Sequence, residues 1–167
     1  AALDELRGEE GVWGIPLTLH LLDRGDLPVH AAAVDIAGLA VLLAAPRRFG
    51  KSTLAAAFVA AGYRLLSEDV SCVRPRQPAS VVPGPAMLRE RRDIADQVTI
   101  PGAHAVGTTD DRVHFAIDID RRGDSTPVPL GAIVLLRAEP GSPSIERVEP
   151  ARAVQELWAL SSCLPTP

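Results

Sequence analysis

The chain has 167 residues, 17 of them basic and 21 acidic, a net charge of −4 and 47% hydrophobic residues. That composition suits one globular domain with a sizeable core, excludes a largely disordered chain, and gives no electrostatic case for nucleic acid or an anionic membrane surface. Lys51 is the only lysine; the other sixteen basic residues are arginine.

In chain order, apolar residues at helical spacing over 15–22 predict a short helix ending near Gly25. Residues 29–36 are β-compatible, Ala37-Gly38 is a two-residue turn signal, and 39–45 is a continuous apolar run, so a hairpin feeding a buried strand is expected. Extended to Pro46, that run is far short of the roughly 20 residues that cross a bilayer. Residues 51–61 are rich in Ala and Leu, lack Pro and Gly, and precede Gly62, which predicts a helix with a glycine at its C-terminal end.

Residues 64–73 read as one further strand and the proline-rich 75–85 as a loop. A charged helix is expected over 88–98, a loop over 101–111, a half-buried strand over 112–119, a buried strand over 128–137 and a short strand over 144–148. The last element is an amphipathic helix over 151–160 with Val154, Leu157 and Trp158 on one face. Together these predict a single α/β domain, 1–167, with a mixed sheet. The two cysteines, Cys72 and Cys163, read as small core hydrophobes in a reduced compartment, which makes the cytoplasm the expected location. With no initiator Met and an end just past a helical pattern, the chain reads as trimmed or partial.

Three features carry chemistry. Ala45-Pro46-Arg47-Arg48-Phe49-Gly50-Lys51-Ser52-Thr53 lies between an apolar strand and a helix, the context in which a G-x-x-x-x-G-K-[ST] pattern binds phosphate. Loop and helix N–H groups face the phosphates, Lys51 supplies a mobile full charge, and Ser52 offers a hydroxyl to Mg²⁺. Ala45 stands where the motif has its first glycine, and Arg48 where many such loops have another. A plain strand-to-helix turn is the alternative. The second feature is Glu68-Asp69, at the end of an apolar run: one acid can hold Mg²⁺ and another can orient or deprotonate a hydroxyl, against the alternative of an acidic surface turn. His30 is the third, either a hydrogen-bonded structural histidine or part of the site.

Taken together, residues 28–34, 41–53 and 62–70 resemble the HPr serine kinase family, and more closely its shorter HPr-kinase-like relatives found in peptide-modification clusters, including those for lasso peptides. Lys51 follows His30 by 21 residues and precedes Glu68 by 17, as in the family pattern. The resemblance implies a phosphate-loop fold related to phosphoenolpyruvate carboxykinase, and an ATP- and Mg²⁺-dependent kinase acting on a serine of a peptide or small protein. It implies that Lys51 binds phosphates, Ser52 and Asp69 serve the metal, Asp69 is the candidate base, and His30 supports the acids; a homo-oligomer is also expected. Glu68 departs from the family's Asp, and Glu90 is the nearest counterpart to a further family acid for Mg²⁺. The competing readings are a nucleotide-binding regulatory or scaffold protein without transfer activity, and a phosphatase or phosphorylase running the reaction backwards. Arg89, Arg91 and Arg92 are read as a solvated helix face, with binding of an acidic or phosphorylated partner as the alternative.

Overall fold

The computed structural model describes residues 15–96, 99–109, 111–118, 125–138 and 141–160. Helix α1 (Ile15–Asp23) ends at Gly25, whose φ is +75°. Strands β1 (Leu27–Val29), β2 (Ala31–Ile36) and β3 (Leu39–Ala44) follow, then α2 (Lys51–Ala60). The β2–β3 hairpin turns on Ala37 and Gly38, both at positive φ, with the Asp35 carboxylate accepting the Gly38 N–H at 2.8 Å. Next come β4 (Arg64–Ser67), β5 (Ser71–Arg74), β6 (Ser80–Val82), β7 (Met87–Arg91), α3 (Arg92–Ala95), β8 (Ala103–Thr108), β9 (Arg112–Ile117), β10 (Val128–Leu135) and α4 (Pro150–Leu160).

Seven strands form a mixed sheet in the order β1-β5-β6-β10-β3-β2-β4, and β7-β9-β8 form a smaller antiparallel sheet. Strands β4 and β5 lie five places apart in that order, which in a flat sheet is about 24 Å. Only Glu68, Asp69 and Val70 join them, and the four steps from Ser67 to Ser71 span at most about 14 Å. The sheet therefore curls until its two wings meet. Ser71 Oγ donates to the Ala31 carbonyl at 2.9 Å, and the Ser67 and Ser71 hydroxyls lie 2.6 Å apart.

Both faces of β2 and β3 are covered, which is why their sequence runs apolar without alternation. Ala31, Ala33, Ala40, Leu42 and Ala44 face the hollow of the curl with Leu66, Val73 and Val81, and Leu157 and Leu160 of α4 pack against that group. Ala32, Val34 and Leu43 face the other way, against Ala55, Ala56 and Val59 of α2 and Leu88 and Ile117 of the small sheet.

Several sequence expectations are corrected. The single strand over 64–73 is two strands broken at the acids, the 75–85 loop contains β6, and the 101–111 loop contains β8. The helix expected over 88–98 is β7 followed by one turn of helix; residues 97 and 98 lie outside the described residues. Pairing Leu88 with Phe115 and Glu90 with Val113 overrides the helical propensity of Leu, Arg and Glu. Strand β10 is largely half-exposed rather than buried, because β6 pairs only with Val128 and Pro129 and leaves the rest of that flank open. Residues 144–148 form no strand, and Ile145 is 98% exposed. Helix α4 turns Leu157 inward but leaves Val154 and Trp158 exposed. Among the described residues, no helix is long and apolar enough to cross a membrane.

Candidate active site

The carboxyl end of β3 runs through Ala45 into an exposed loop, 46–50, and then into α2. The two departures from the glycine pattern differ in consequence. Ala45 is buried and needs no positive φ, whereas Arg48 sits at φ +68°, the left-handed conformation that disfavours a side chain. Gly50, at φ +82°, turns the chain into the helix. Lys51 folds back over its own loop and donates to the carbonyls of Ala45 (2.9 Å) and Pro46 (3.1 Å). Burial pulls its ammonium below the ordinary lysine range, with Asp69 and Glu68 acting in the opposite direction.

The curl carries the acids to this loop. Ser52 Oγ donates to Glu68 Oε1 at 2.5 Å, and Thr53 Oγ1 donates to Glu90 Oε2 at 3.3 Å. Arg89 spans both site acids: its Nε donates to Glu68 Oε2 at 2.9 Å, and a terminal nitrogen lies 2.8 Å from Asp69 Oδ2. Although burial opposes its charge, Glu68 and Asp69 raise the guanidinium further above the range where it loses a proton. Burial also works to raise Asp69, but Arg89, His30 and Lys51 outweigh it and hold that carboxyl below the usual range.

His30, between β1 and β2, places Nδ1 3.2 Å from the Asp69 carbonyl and 3.3 Å from its carboxylate. Both neighbours are acceptors, so Nδ1 carries the proton. Burial first, and Lys51 second, lower this imidazole's affinity for a second proton, leaving Nε2 buried and unpartnered. Glu90 is 2% exposed; burial pushes its carboxyl up to about 7, and Oε1 has no partner.

Of the residues expected at the site, the structure brings Ser52 to Glu68, His30 to Asp69, and Lys51 into the field of both acids. The metal pair expected from sequence is divided: Ser52 faces Glu68, while Asp69 is engaged by Arg89 and His30. Among the described residues no three His, Cys, Asp or Glu side chains are grouped to hold a metal unaided. Arg47, Arg48 and Phe49 are exposed on the loop. Arg89 was missed: reading 88–98 as a helix made it a solvated charge, and strand alternation beside a buried Glu90 was the signal that it faced elsewhere. Arg91 does face solvent, paired with Asp93. Cys72 is half-buried with its thiol raised to about 11, chiefly by burial, as a small hydrophobe would be; Cys163 lies outside the described residues.

No protein-family model matches the chain. The chain is 35% identical over 71 residues to an HPr kinase/phosphorylase of Geobacter sulfurreducens, covering 41% of this chain and 22% of that protein. It thus spans about a fifth of the length of the curated relative it matches. Among solved structures, an Hpr(Ser) kinase/phosphatase from Coxiella burnetii aligns with a TM-score of 0.44 and 18% identity, over 74% of this chain and 66% of that one. Over those 71 residues the chain is similar to that HPr kinase/phosphorylase, and its own architecture is an α/β fold with a mixed sheet.

Proposed function

We propose that this chain is an HPr-kinase-like serine kinase that uses ATP and Mg²⁺ to phosphorylate a serine of a peptide or small protein. The observation that carries the reading is the convergence of Lys51, Ser52 and two carboxylates, Glu68 and Asp69, at the start of one helix that follows a strand and an open loop. The donors suit Mg²⁺: they are all oxygens, and the unpartnered Glu90 Oε1 beside Thr53 is a buried acceptor that a cation satisfies. Ser52, Glu68 and Glu90 would hold the ion, and Mg²⁺ when bound supplies positive charge to the β- and γ-phosphates.

Lys51, which donates to the Ala45 and Pro46 carbonyls, exchanges them for phosphate oxygens. The serine oxygen bonds to the γ-phosphorus as the bridging bond breaks, ADP departs, and Asp69 receives or steers the hydroxyl proton. A carboxylate held low in pKa is a weak base, but phosphoryl transfer through a loose transition state needs positioning more than deprotonation. His30, with its proton fixed on Nδ1, holds Asp69 in place.

A second reading, nucleotide binding without transfer, is favoured by Arg89, which compensates both acids, and by the strained Arg48. The test is a mass-spectrometric search for a phosphate gain on peptides encoded beside the gene, with ATP and Mg²⁺, alongside calorimetry of ATP binding. Phosphate gain that disappears in folded Lys51→Ala supports the kinase. Binding without turnover supports the scaffold, and undiminished transfer by Lys51→Ala sinks the assignment. Phosphate removal from a phosphoserine peptide that depends on orthophosphate marks the reverse reaction.

A further inference from the structure

Away from the phosphate loop, Arg24, Asp26, Arg74 and Arg76 wall a cavity of about 320 Å³. We propose that this cavity docks acidic side chains of the acceptor, so that the preferred substrate is a peptide carrying carboxylates roughly four residues from its serine, an assignment that rests on the kinase reading above.

Three separate segments deliver the arginines. Helix α1 closes at Gly25, whose N–H donates to the Leu22 carbonyl at 2.9 Å, and the Asp26 N–H returns to the Leu21 carbonyl at 2.9 Å, which leaves Arg24 exposed at the entry to β1. Leu27 pairs with Val73, so the next positions outward, Asp26 and Arg74, face each other across β1 and β5. Arg76 stands exposed in the link from β5 to β6. The Asp26 side chain is only 8% exposed; its carboxylate accepts from the Cys72 thiol and lies 3.7 Å from Arg74 Nε. That buried acid anchors the cluster from below. At 3.7 Å it is too far for a hydrogen bond, so Arg74 keeps its donors for a ligand. Among the described residues Arg24 and Arg76 pair with no carboxylate. Three guanidiniums against one carboxylate make a local excess of positive charge in a chain whose net charge is −4.

Guanidinium forks match carboxylates in geometry and stay charged at any working pH. A water takes about 30 Å³ of liquid, so the cavity has room for more than one acidic side chain. Position ties it to the site. The β1–β5 ribbon has His30 and Asp69 at one end and Asp26 and Arg74 at the other. The four steps from Asp26 to His30 cover about 13 Å at the rise of a strand. An extended peptide whose serine meets Asp69 therefore sets a residue about four positions away beside the arginines.

The experiment reads fluorescence anisotropy of labelled peptides on the whole chain without nucleotide, at low salt, where charge contacts are least screened. One peptide has a central serine with glutamate pairs four and five residues away on each side; its counterpart has glutamines there. The wild type should bind the glutamate peptide at least about tenfold more tightly. Arg24→Gln combined with Arg76→Gln should remove about tenfold of that affinity and leave the glutamine peptide within about twofold. Arg91→Gln combined with Arg92→Gln, an equal change of charge at exposed positions of β7 and α3, should leave both peptides within about twofold. If the first pair lowers Tm, Arg76→Gln alone decides. Equal wild-type affinity for the two peptides overturns the proposal, as does an equal loss in the two double variants; arginine-dependent binding of citrate in place of the peptide marks a free-anion site and overturns it too. Addition of ATP and Mg²⁺ separates this proposal from the reading beneath it. Arginine-dependent binding with no phosphate gain keeps the carboxylate site and removes the kinase, whereas transfer at equal KM to both peptides keeps the kinase and overturns the docking.

Discussion

Replacing Arg89 by Met keeps most of the side chain's apolar stem and removes only the guanidinium. Glu68 is then left with its charge buried, its side chain 7% exposed, and Ser52 as its remaining partner. Removing one member of a buried ion pair costs about 3–5 kcal/mol, whereas the Asp69 side of the fork, 45% exposed, contributes at most about 1 kcal/mol. Because Arg89 itself is 24% exposed, the lower end applies, giving about 3 kcal/mol and a fall in Tm of about 6–12 °C. Asp69 is depressed in the folded state, so its share of the stability is present above its unfolded value near 4 and is lost as pH falls through the folded one. The gap between wild type and Arg89→Met should therefore be widest at neutral pH and narrow below about pH 4. Thermal unfolding followed by circular dichroism at pH 7 and pH 3 measures it. Adding Glu68→Gln to Arg89→Met removes the orphaned charge and should return at least half of the lost stability. A loss under about 1 kcal/mol, or a double variant as unstable as the two single losses added, refutes the reasoning.

Glu90 titrates near 7 when folded and in the ordinary carboxylate range when unfolded, so the native state binds more protons between those values and stability falls as pH rises across that window. Glu90→Gln should flatten this slope, by roughly 3 kcal/mol across the window. His30 is lowered and runs the opposite way, so the readout is the difference between the wild-type and Glu90→Gln unfolding profiles; parallel profiles would contradict the burial account. Arg48→Gly removes a side chain from a left-handed position and should stabilise the fold by up to about 1 kcal/mol in urea unfolding, with nucleotide affinity equal or higher. Destabilisation beyond about 1 kcal/mol would mean that the guanidinium makes a contact worth more than the strain. Lys51→Ala, the control for the proposed transfer, should cost at most about 2 kcal/mol, since it deletes two bonds within one loop; a larger drop in Tm than that implies would undo its use as a folded control.

Local signals carried the reading as far as local rules reach. The hairpin at Ala37-Gly38, the helix from Lys51 and its stop at Gly62 each depend on residues within a turn or two, and each is found where the pattern predicts. Residues 87–91 depend on something no window contains: Leu88 and Glu90 are buried by α2 and β9, so a helix-forming composition became a strand. Arg89 was lost with that assignment. The break at Glu68 was equally invisible, because Leu65 and Leu66 belong to one wing of the sheet and Val73 to the other, yet in sequence they form a single apolar run. His30, Lys51 and the acid pair were legible through their mutual spacing. The division of labour between Glu68, which meets Ser52, and Asp69, which meets His30, required the curl of the sheet.

The three-residue link between β4 and β5 makes the acid pair a clasp. The clasp is short, and it holds Ser67 and Ser71 with their hydroxyls 2.6 Å apart, so the carboxylates inherit their placement from the backbone of the two strands it fastens. An insertion at 68–70 lengthens the one link that sets Glu68 against Ser52 and Asp69 against His30, so it is expected to disturb both contacts together, whereas the 75–79 connection carries neither acid.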